Sequence, residues 1–213
     1  MVIEIIQQGM ISKNKKNILI LGSGGHAISC FEILTYLNSY KVIGYVDVKN
    51  NINFKLKYLG NDKNLKKIKK KFSYAIIAIG QIKNNKIREK KFNLLKKLDF
   101  KLPNIISPLT IVSKNISIGE SNSFFHHVII NSECLIGNNN IINSKALIEH
   151  ETIIGNNNHI STGAIINGNC KIGNNNFIGS GAIINNNIKI GNNCIIGSST
   201  NIKKDIKNNE IIK

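Results

Sequence analysis

The sequence is poor in residues on which several classes of protein depend. It has no Trp, two Pro and four Cys among its 213 residues. None of the cysteines forms a CxxC pair, so neither disulfides nor a metal site are expected. No run of 18 apolar residues occurs, which argues against a membrane span. The first ten residues are too short and too acidic for a signal peptide, so a cytoplasmic protein is expected.

Acidic residues, arginine and aromatic residues are also scarce. The chain has 12 Asp and Glu against 29 Lys and Arg, for a formal net charge of +17, but Arg88 is the sole arginine. Proteins that bind nucleic acid rely on Arg for bidentate base contacts and on aromatic rings for stacking. Nucleic acid is therefore not an expected partner. We interpret the lysines as a solvated surface that suits small anionic substrates.

What the chain does contain is a period of six. From Val112 to Ile202 every sixth residue is large and apolar, and nearly all of these residues are Ile. Neither a helix nor a flat strand has this period, so three hexapeptides are expected to form one coil. About five coils would stack into a left-handed parallel β-helix over residues 104–213. An 18-residue glycine period supports this: Gly119, Gly137, Gly155, Gly173 and Gly191.

The six-residue period also assigns places to other residues. Three cysteines fall four residues after an apolar position, where small residues recur, and are expected to fill the core: Cys134, Cys170 and Cys194. Asparagines recur at one corner and predict a ladder of stacked side-chain amides: Asn122, Asn140, Asn158 and Asn176. The N-terminal domain and residues 203–213 are expected to cover the two open ends of the stack.

Residues 1–103 predict a small α/β domain that is Rossmann-like but half-size. A strand at 17–21, a glycine turn, a helix and a strand ending at Asp47 form a right-handed βαβ unit. Lysine-rich helices at 61–72 and 83–98 flank a third buried strand at 74–80. The boundary falls within 101–108.

The glycine turn GSGGHA (22–27) matches the pattern G-x-G-x-x-A, which is typical of phosphate binding at a helix N-terminus. Asp47 lies where an acidic residue can accept a hydrogen bond from a ribose or a base. A dinucleotide cofactor and a nucleotide-linked sugar both fit this pattern. The additional His26 and the small sheet favour the sugar.

One coil departs from the Asn, Gly and Ser found at most corners. Residues 149–151 are Glu, His and Glu. Histidine is suited to act as a base near neutral pH, and an adjacent carboxylate can accept a ring N–H and fix the tautomer. The alternative is a solvated surface triplet. His126 and His127 have no acidic neighbour and are interpreted as structural or interface residues.

Taken together, these motifs resemble the bacterial sugar O- and N-acyltransferases. That family includes sialic acid O-acetyltransferases and the N-acetyltransferases of UDP- and GDP-linked amino-deoxysugars. The resemblance covers nearly all of residues 17–204. Its most specific motifs are GSGGHA (22–27), AIG (78–80) and IEHETIIG with HISTGAIING (within 148–168).

The resemblance implies a homotrimer with acetyl-CoA in the cleft between adjacent β-helices. It implies that His150 is the general base, that Glu151 supports it, and that the Gly168 amide donates to the oxyanion. Residues matched to acetyl-CoA binding are His159, Ser180 and Ser198. Residues matched to the nucleotide-sugar are Gly24, Gly25, His26, Asp47, Gly80 and Gln81, with Lys83 as a further contact.

Two features depart from the family pattern. Val48 stands where many relatives carry a second acid. The sequence ends in NNEIIK, whereas many relatives have a Gly-x-Pro-Ala segment that helps to enclose CoA.

The function expected is direct N-acetylation of an amino-deoxysugar nucleotide. No covalent acyl-enzyme is expected, because no cysteine lies near the Glu-His-Glu corner in sequence. The main alternative is O-acetylation of a sialic or legionaminic type of sugar. A non-enzymatic trimeric scaffold or nucleotide sensor and an NAD-binding regulatory domain are further hypotheses.

Overall fold

The computed structural model describes residues 15–81 and 86–213, which form an N-terminal α/β layer and a β-solenoid. The elements of the α/β layer are β1 (Lys16–Leu21), α1 (Gly25–Tyr36), β2 (Tyr40–Val46), a 3-10 turn (Asp62–Asn64), α2 (Leu65–Lys69), β3 (Tyr74–Ile77) and α3 (Lys86–Lys97). β1 lies between β2 and β3 and pairs with both in parallel. The predicted half-size βαβ unit is thus confirmed.

The central strand is apolar on both sides because helices cover both faces of the sheet. Ile18 and Ile20 pack with residues of α1, whereas Leu19 and Leu21 pack with residues of α2 and α3. The helix predicted over 61–72 is shorter than expected and begins as a 3-10 turn. The Asn61 side chain accepts from the Lys63 amide and caps this turn.

The solenoid is the left-handed parallel β-helix that the hexapeptide period predicts. Its two-residue strands form three faces in the described residues. The first face comprises β4 (Ile105–Ile106), β7 (Ser123–Phe124), β10 (Ile141–Ile142), β13 (His159–Ile160), β16 (Phe177–Ile178), β19 (Ile195–Ile196) and β21 (Ile211–Ile212). The second comprises β5 (Ile111–Val112), β8 (Ile129–Ile130), β11 (Leu147–Ile148), β14 (Ile165–Ile166), β17 (Ile183–Ile184) and β20 (Asn201–Ile202). The third comprises β6 (Ser117–Ile118), β9 (Leu135–Ile136), β12 (Ile153–Ile154), β15 (Lys171–Ile172) and β18 (Lys189–Ile190).

The corners between faces require a left-handed backbone at every sixth residue. From Ser121 to Ser199 the corner residue that follows each inward apolar residue by three places has φ between 55° and 67°. Asn and Gly fill most of these places because they adopt this conformation at the least cost. The asparagines stack as predicted, and each side-chain oxygen accepts from the backbone of the next coil: the backbone N–H of Asn158 donates to Oδ1 of Asn140 at 2.7 Å. The three β-helix cysteines are buried in the core, as predicted.

The stack has about six turns rather than the five expected. The repeat begins one strand before Val112, at Ile106, and continues beyond Ile202. Residues 203–213 form a shortened coil, in which Ile206 pairs with Ile190 across 16 residues instead of 18. The α/β layer packs against the side of the first face, where Ile105, Phe125 and Ile141 share a core with α1.

Candidate active site

His150 lies at the corner between the second and third faces, and its side chain is 54% exposed. Its Nδ1 atom is 3.0 Å from Oε2 of Glu151. Glu151 occupies the left-handed corner position with φ of 59°. The corner therefore brings two sequence neighbours into contact. The other acid of the triplet is engaged elsewhere, because Glu149 accepts from Nδ2 of Asn131 at 2.8 Å.

Gly168 occupies the same corner one coil later, directly beneath the imidazole. A Cβ atom at position 168 would lie 2.7 Å from both Cε1 and Nε2 of His150. Glycine leaves room for the ring in this position, whereas a Cβ at residue 168 would force the ring to move. The edge of the His150 ring that bears Nε2 therefore lies against the backbone of Gly168. Gly168 is itself buried.

Two cysteines lie near this corner in space, although none does in sequence. Cys134 donates to the Glu149 carbonyl at 3.1 Å, and Cys170 donates to the Asn185 carbonyl at 3.0 Å. Desolvation by burial raises the pKa of both thiols. A thiol with a raised pKa is a poor nucleophile, so these residues are core residues, as their place in the repeat predicts.

A pocket of about 980 Å³ lies between the α/β layer and the first face of the β-helix. Six residues predicted to bind the nucleotide-sugar line it: Gly24, Gly25, His26, Asp47, Gly80 and Gln81. His159, predicted to contact acetyl-CoA, lines the same pocket. The structure thus brings together residues up to 135 positions apart in the sequence, from Gly24 to His159.

The glycine turn leaves the pocket open at the start of α1. Gly22 has φ of 108°, and a Cβ there would lie 2.7 Å from the Ala78 carbonyl, so the fold itself requires this glycine. By contrast, a Cβ at Gly24 or Gly25 would meet no atom within 4 Å. The chain itself does not need glycine at these two places. Close approach of a ligand to the helix N-terminus is a physical reason for them.

Asp47 is held at the end of β2 with both carboxylate oxygens in use. Ser23 donates to Oδ2 at 2.6 Å, and the Val48 amide donates to Oδ1 at 2.7 Å. The carboxylate is therefore fixed at the pocket wall, where it can still accept from a ligand hydroxyl through its remaining lone pairs.

Several lining residues were not found from the sequence. Phe125 and Asn143 belong to the β-helix, and Lys91 belongs to α3, where it forms an ion pair with Asp62. No motif marks them, because they approach the pocket only when the two parts of the chain pack together. Lys83 lies outside the described residues.

Arg88 on α3 is the most consequential residue missed. It is 1% exposed and joins the α/β layer to the β-helix. Its guanidinium donates to the Asn139 carbonyl, to Oε1 of Gln81, and to the Asn157 carbonyl at 2.8 Å. Arg88 is the one arginine among 29 Lys and Arg residues, and the composition alone could therefore have drawn attention to it.

Two histidines of the pocket, the buried His159 and the half-buried His26, are neutral. Desolvation lowers the pKa of His26 to about 3 and that of His159 to about 4, with a further lowering from the charge of Arg88. Nδ1 of His159 is 2.8 Å from the Gln81 carbonyl oxygen, and its ring packs edge-on against Phe177.

Within one chain the structure does not bring all predicted residues together. Ser180 and Ser198 are exposed at the corner between the first and second faces, one corner away from His150. The pocket lined by the glycine turn lies on the first face, whereas His150 lies at the corner between the second and third faces.

Known proteins share this arrangement of domains. Residues 17–95 match the PglD N-terminal domain, and residues 151–186 and 169–204 match the bacterial transferase hexapeptide (six repeats). A perosamine N-acetyltransferase variant from Caulobacter crescentus, solved with CoA and GDP-perosamine, is 25% identical with a TM-score of 0.84, over 92% of each chain. The acetyltransferase domain of PglB from Neisseria gonorrhoeae, solved with acetyl coenzyme A, is 24% identical with a TM-score of 0.86, over 93% of this chain and 96% of that one. No curated protein matches significantly.

Fold and site together define an acyltransferase of the hexapeptide-repeat class. The chain combines a PglD N-terminal domain with bacterial transferase hexapeptide repeats and is a sugar acetyltransferase, as the resemblance of its motifs implied. In the described residues no helix is long and apolar enough to cross a membrane, and no group of His, Cys, Asp and Glu could hold a metal.

Proposed function

We propose that the protein is an acetyl-CoA-dependent N-acetyltransferase that acts on the amine of a nucleotide-linked amino-deoxysugar in the cytoplasm. The observation that carries this proposal is the arrangement of Glu151, His150 and Gly168 at one corner. A base with a carboxylate partner on Nδ1 lies with Nε2 against a backbone whose amide can serve as donor. The similarity to an N-acetyltransferase supports the amine as acceptor.

The reaction needs one proton relay and no metal. As the sugar amine attacks the thioester carbonyl, Nε2 of His150 takes a proton from the amine nitrogen while Nδ1–H donates to Glu151. A C–N bond forms, and the Gly168 N–H stabilises the negative oxygen. Collapse of the tetrahedral intermediate breaks the C–S bond, and the proton passes from His150 to the CoA sulfur. The raised thiol pKa values of Cys134 and Cys170 favour this direct transfer over an acyl-cysteine.

A homotrimer would complete the site, because it would bring the pocket of one chain to the His150 of another. A column of outward apolar side chains on the second face supports this assembly: Ile111, Ile129, Leu147, Ile165 and Ile183. Ile111 is 65% exposed. A contiguous apolar surface of this kind is typical of an interface. In this assembly acetyl-CoA would lie in the cleft, with Ser180 and Ser198 along its pantetheine arm.

The test is an acceptor panel. The protein is incubated with acetyl-CoA and with UDP-, GDP- and dTDP-linked amino sugars or free nonulosonic acids, and CoA release is followed. We expect turnover with an amino-sugar nucleotide, and a loss of about 10²–10⁴ in kcat in the His150→Asn variant. Turnover confined to nonulosonic acids would establish O-acetylation instead. Full activity of His150→Asn would show that His150 is not the general base.

A further inference from the structure

Two apolar side chains are exposed to solvent at one end of the pocket. Ile52 is 88% exposed and Val48 is 78% exposed, more than any other large apolar side chain in the described residues. Both line a cavity of about 480 Å³ together with Ser23, Gly24 and Asp47. Val48 and the latter three residues also line the larger pocket at the start of α1, so the two cavities are continuous. This apolar pair, Val48 and Ile52, is thus part of the candidate substrate site.

The segment that carries the apolar pair is held to the glycine turn by hydrogen bonds. Nδ2 of Asn51 donates to the Ser23 carbonyl at 2.6 Å. The Asn51 amide donates to the Tyr45 hydroxyl at 2.8 Å, and that hydroxyl donates to Oδ1 of Asn50 at 2.6 Å. Since Tyr45 is itself fully buried, the segment is anchored to the core, and the apolar pair keeps a fixed place beside the turn.

The polar side chains around the apolar pair are largely bonded within the protein. Both carboxylate oxygens of Asp47 accept hydrogen bonds from the chain, one of them from the Ser23 hydroxyl. The side-chain oxygens of Asn50 and Asn51 also accept from the chain. Lys49 and Asn50 keep N–H groups, but both residues are exposed at the rim, where water competes for these groups. Among the described side chains of this cavity, none that is buried keeps an unbonded N–H or O–H for the edge of a base.

The order of groups in the pocket indicates which part of a ligand meets the apolar pair. The open glycine turn at the N-terminus of α1 suits phosphates, and Asp47 at the end of β2 can accept from a ribose hydroxyl. In a nucleoside diphosphate the base lies on the side of the ribose that faces away from the phosphates. The flat faces of bases pack well against apolar side chains. A nucleobase is therefore the group that fits this end of the pocket.

We propose that Val48 and Ile52 form an apolar contact surface for the nucleobase of the bound sugar nucleotide, which the site recognises by its size and not by its hydrogen-bonding edge. This inference rests on the proposed function, in which the pocket binds a nucleotide-linked sugar. Sites that read a polar edge discriminate by about 10⁴–10⁵-fold, whereas apolar sites discriminate by about 10–200-fold. Val48 offers only methyl groups where many relatives carry an acid, so the protein accepts more than one base.

Four ribonucleoside diphosphates separate recognition of size from recognition of the edge. UDP and CDP have bases of nearly equal size, but cytosine carries an amino donor where uracil carries an oxygen acceptor, and ADP and GDP form the matching purine pair. Each nucleotide is titrated calorimetrically into the full-length protein. We expect the dissociation constants within each pair to agree within about tenfold. The purines, which have the larger bases, should bind more tightly than the pyrimidines.

Variants of the apolar pair test its contact with the base. Val48→Ser and Ile52→Ser should each weaken binding of all four nucleotides about three- to tenfold. Neither should change the inhibition constant of ribose 5-phosphate, a competitor of GDP that lacks a base. Val48→Phe should tighten binding of all four, since an aromatic ring stacks on any base, and damage to the fold cannot produce such a gain. The matched control is Ile28→Ser, because Ile28 is 56% exposed on α1 and lines neither cavity.

A difference of more than about tenfold within either pair of nucleotides would overturn recognition by size. Equal losses for ribose 5-phosphate and the nucleotides would show that the apolar pair supports the turn and does not contact the base. Normal nucleotide binding in both serine variants, together with a changed sedimentation coefficient, would show that a second copy of the chain covers the pair. Failure of the proposed function is a different result: the wild type would acetylate no amino-sugar nucleotide, whatever its binding of the four diphosphates.

Discussion

His150 and His159 are nine residues apart on the same coil, but their surroundings are opposite. His150 lies at an exposed corner and its ring contacts a carboxylate; His159 lies on a covered face and its ring contacts a carbonyl near a buried guanidinium. An exposed ring beside a carboxylate is accessible to a substrate. A buried ring beside a fixed cation stays neutral. The β-helix thus assigns different chemistry to one residue type according to whether a corner or a face carries it.

Substitutions at the His150 corner should lower activity more than substitutions around His159. Gly168→Ala places a Cβ where the His150 ring lies and moves the amide proposed to stabilise the oxyanion. We expect kcat to fall about 100-fold or more while the fold is kept. CoA release and circular dichroism measure the two effects. Ser132→Ala, at the equivalent place two coils earlier, is the control and should be nearly fully active. Normal activity of Gly168→Ala would show that Gly168 has no role in catalysis.

The pocket should be the part that acid destabilises. Above about pH 6.5 a histidine with the ordinary pKa is neutral in both the unfolded and the folded chain, and contributes nothing to pH dependence. Between pH 6.5 and about 4 the unfolded chain binds protons that His26 and His159 do not bind in the folded chain. Stability should therefore fall by about 1.4 kcal/mol per pH unit for each histidine.

Urea denaturation from pH 7.5 to 4.5 measures this slope. His159→Phe removes one of the two groups, so its slope should be flatter than that of the wild type. An identical slope in the variant would show that His159 is protonated in the folded chain.

Glu151 should show opposite effects on activity and stability. It holds a left-handed conformation that costs a non-glycine residue about 1–2 kcal/mol, and Asn adopts it more readily. Glu151→Asn should raise stability by about 1 kcal/mol and, by removing the partner of Nδ1, lower kcat about tenfold. Thermal unfolding and CoA release test both. Glu133→Asn, at the same position one coil earlier with φ of 61°, should be stabilised without loss of activity.

The smallest effects are expected along the predicted path of acetyl-CoA. Ser180 and Ser198 are exposed, and Ser180 Oγ lies 2.9 Å from Ser161 Oγ. Replacing either serine by Ala removes one neutral hydrogen-bonding group, so the KM for acetyl-CoA should rise about threefold. The KM for the sugar nucleotide should not change. A change in the sugar KM alone would place these serines in the other substrate site.

The repeat made most of the β-helix predictable, because its core positions are fixed by a period. Val112, Cys134 and Asn140 were assigned places by counting alone. The pocket was predictable only in part. Asp47 and the glycine turn follow from a local motif. Arg88 and Phe125 each reach the other part of the chain only when the two parts pack together, which no local sequence pattern shows. Likewise, the sequence predicts His159 as a site residue, but its hydrogen-bond partner is the Gln81 backbone carbonyl, 78 positions away.

Corners of successive coils are aligned along the β-helix, so the proposed catalytic residues could be moved from one coil to the next. Ser132, His150 and Gly168 are equivalent places on successive coils, about 4.8 Å apart. The coil before His150 already carries Glu133 in the left-handed conformation that Glu151 has. Two substitutions, Ser132→His and His150→Gly, would rebuild the same trio of residues one coil earlier. In such a scaffold the coil that carries the proposed catalytic residues can change without a change of fold.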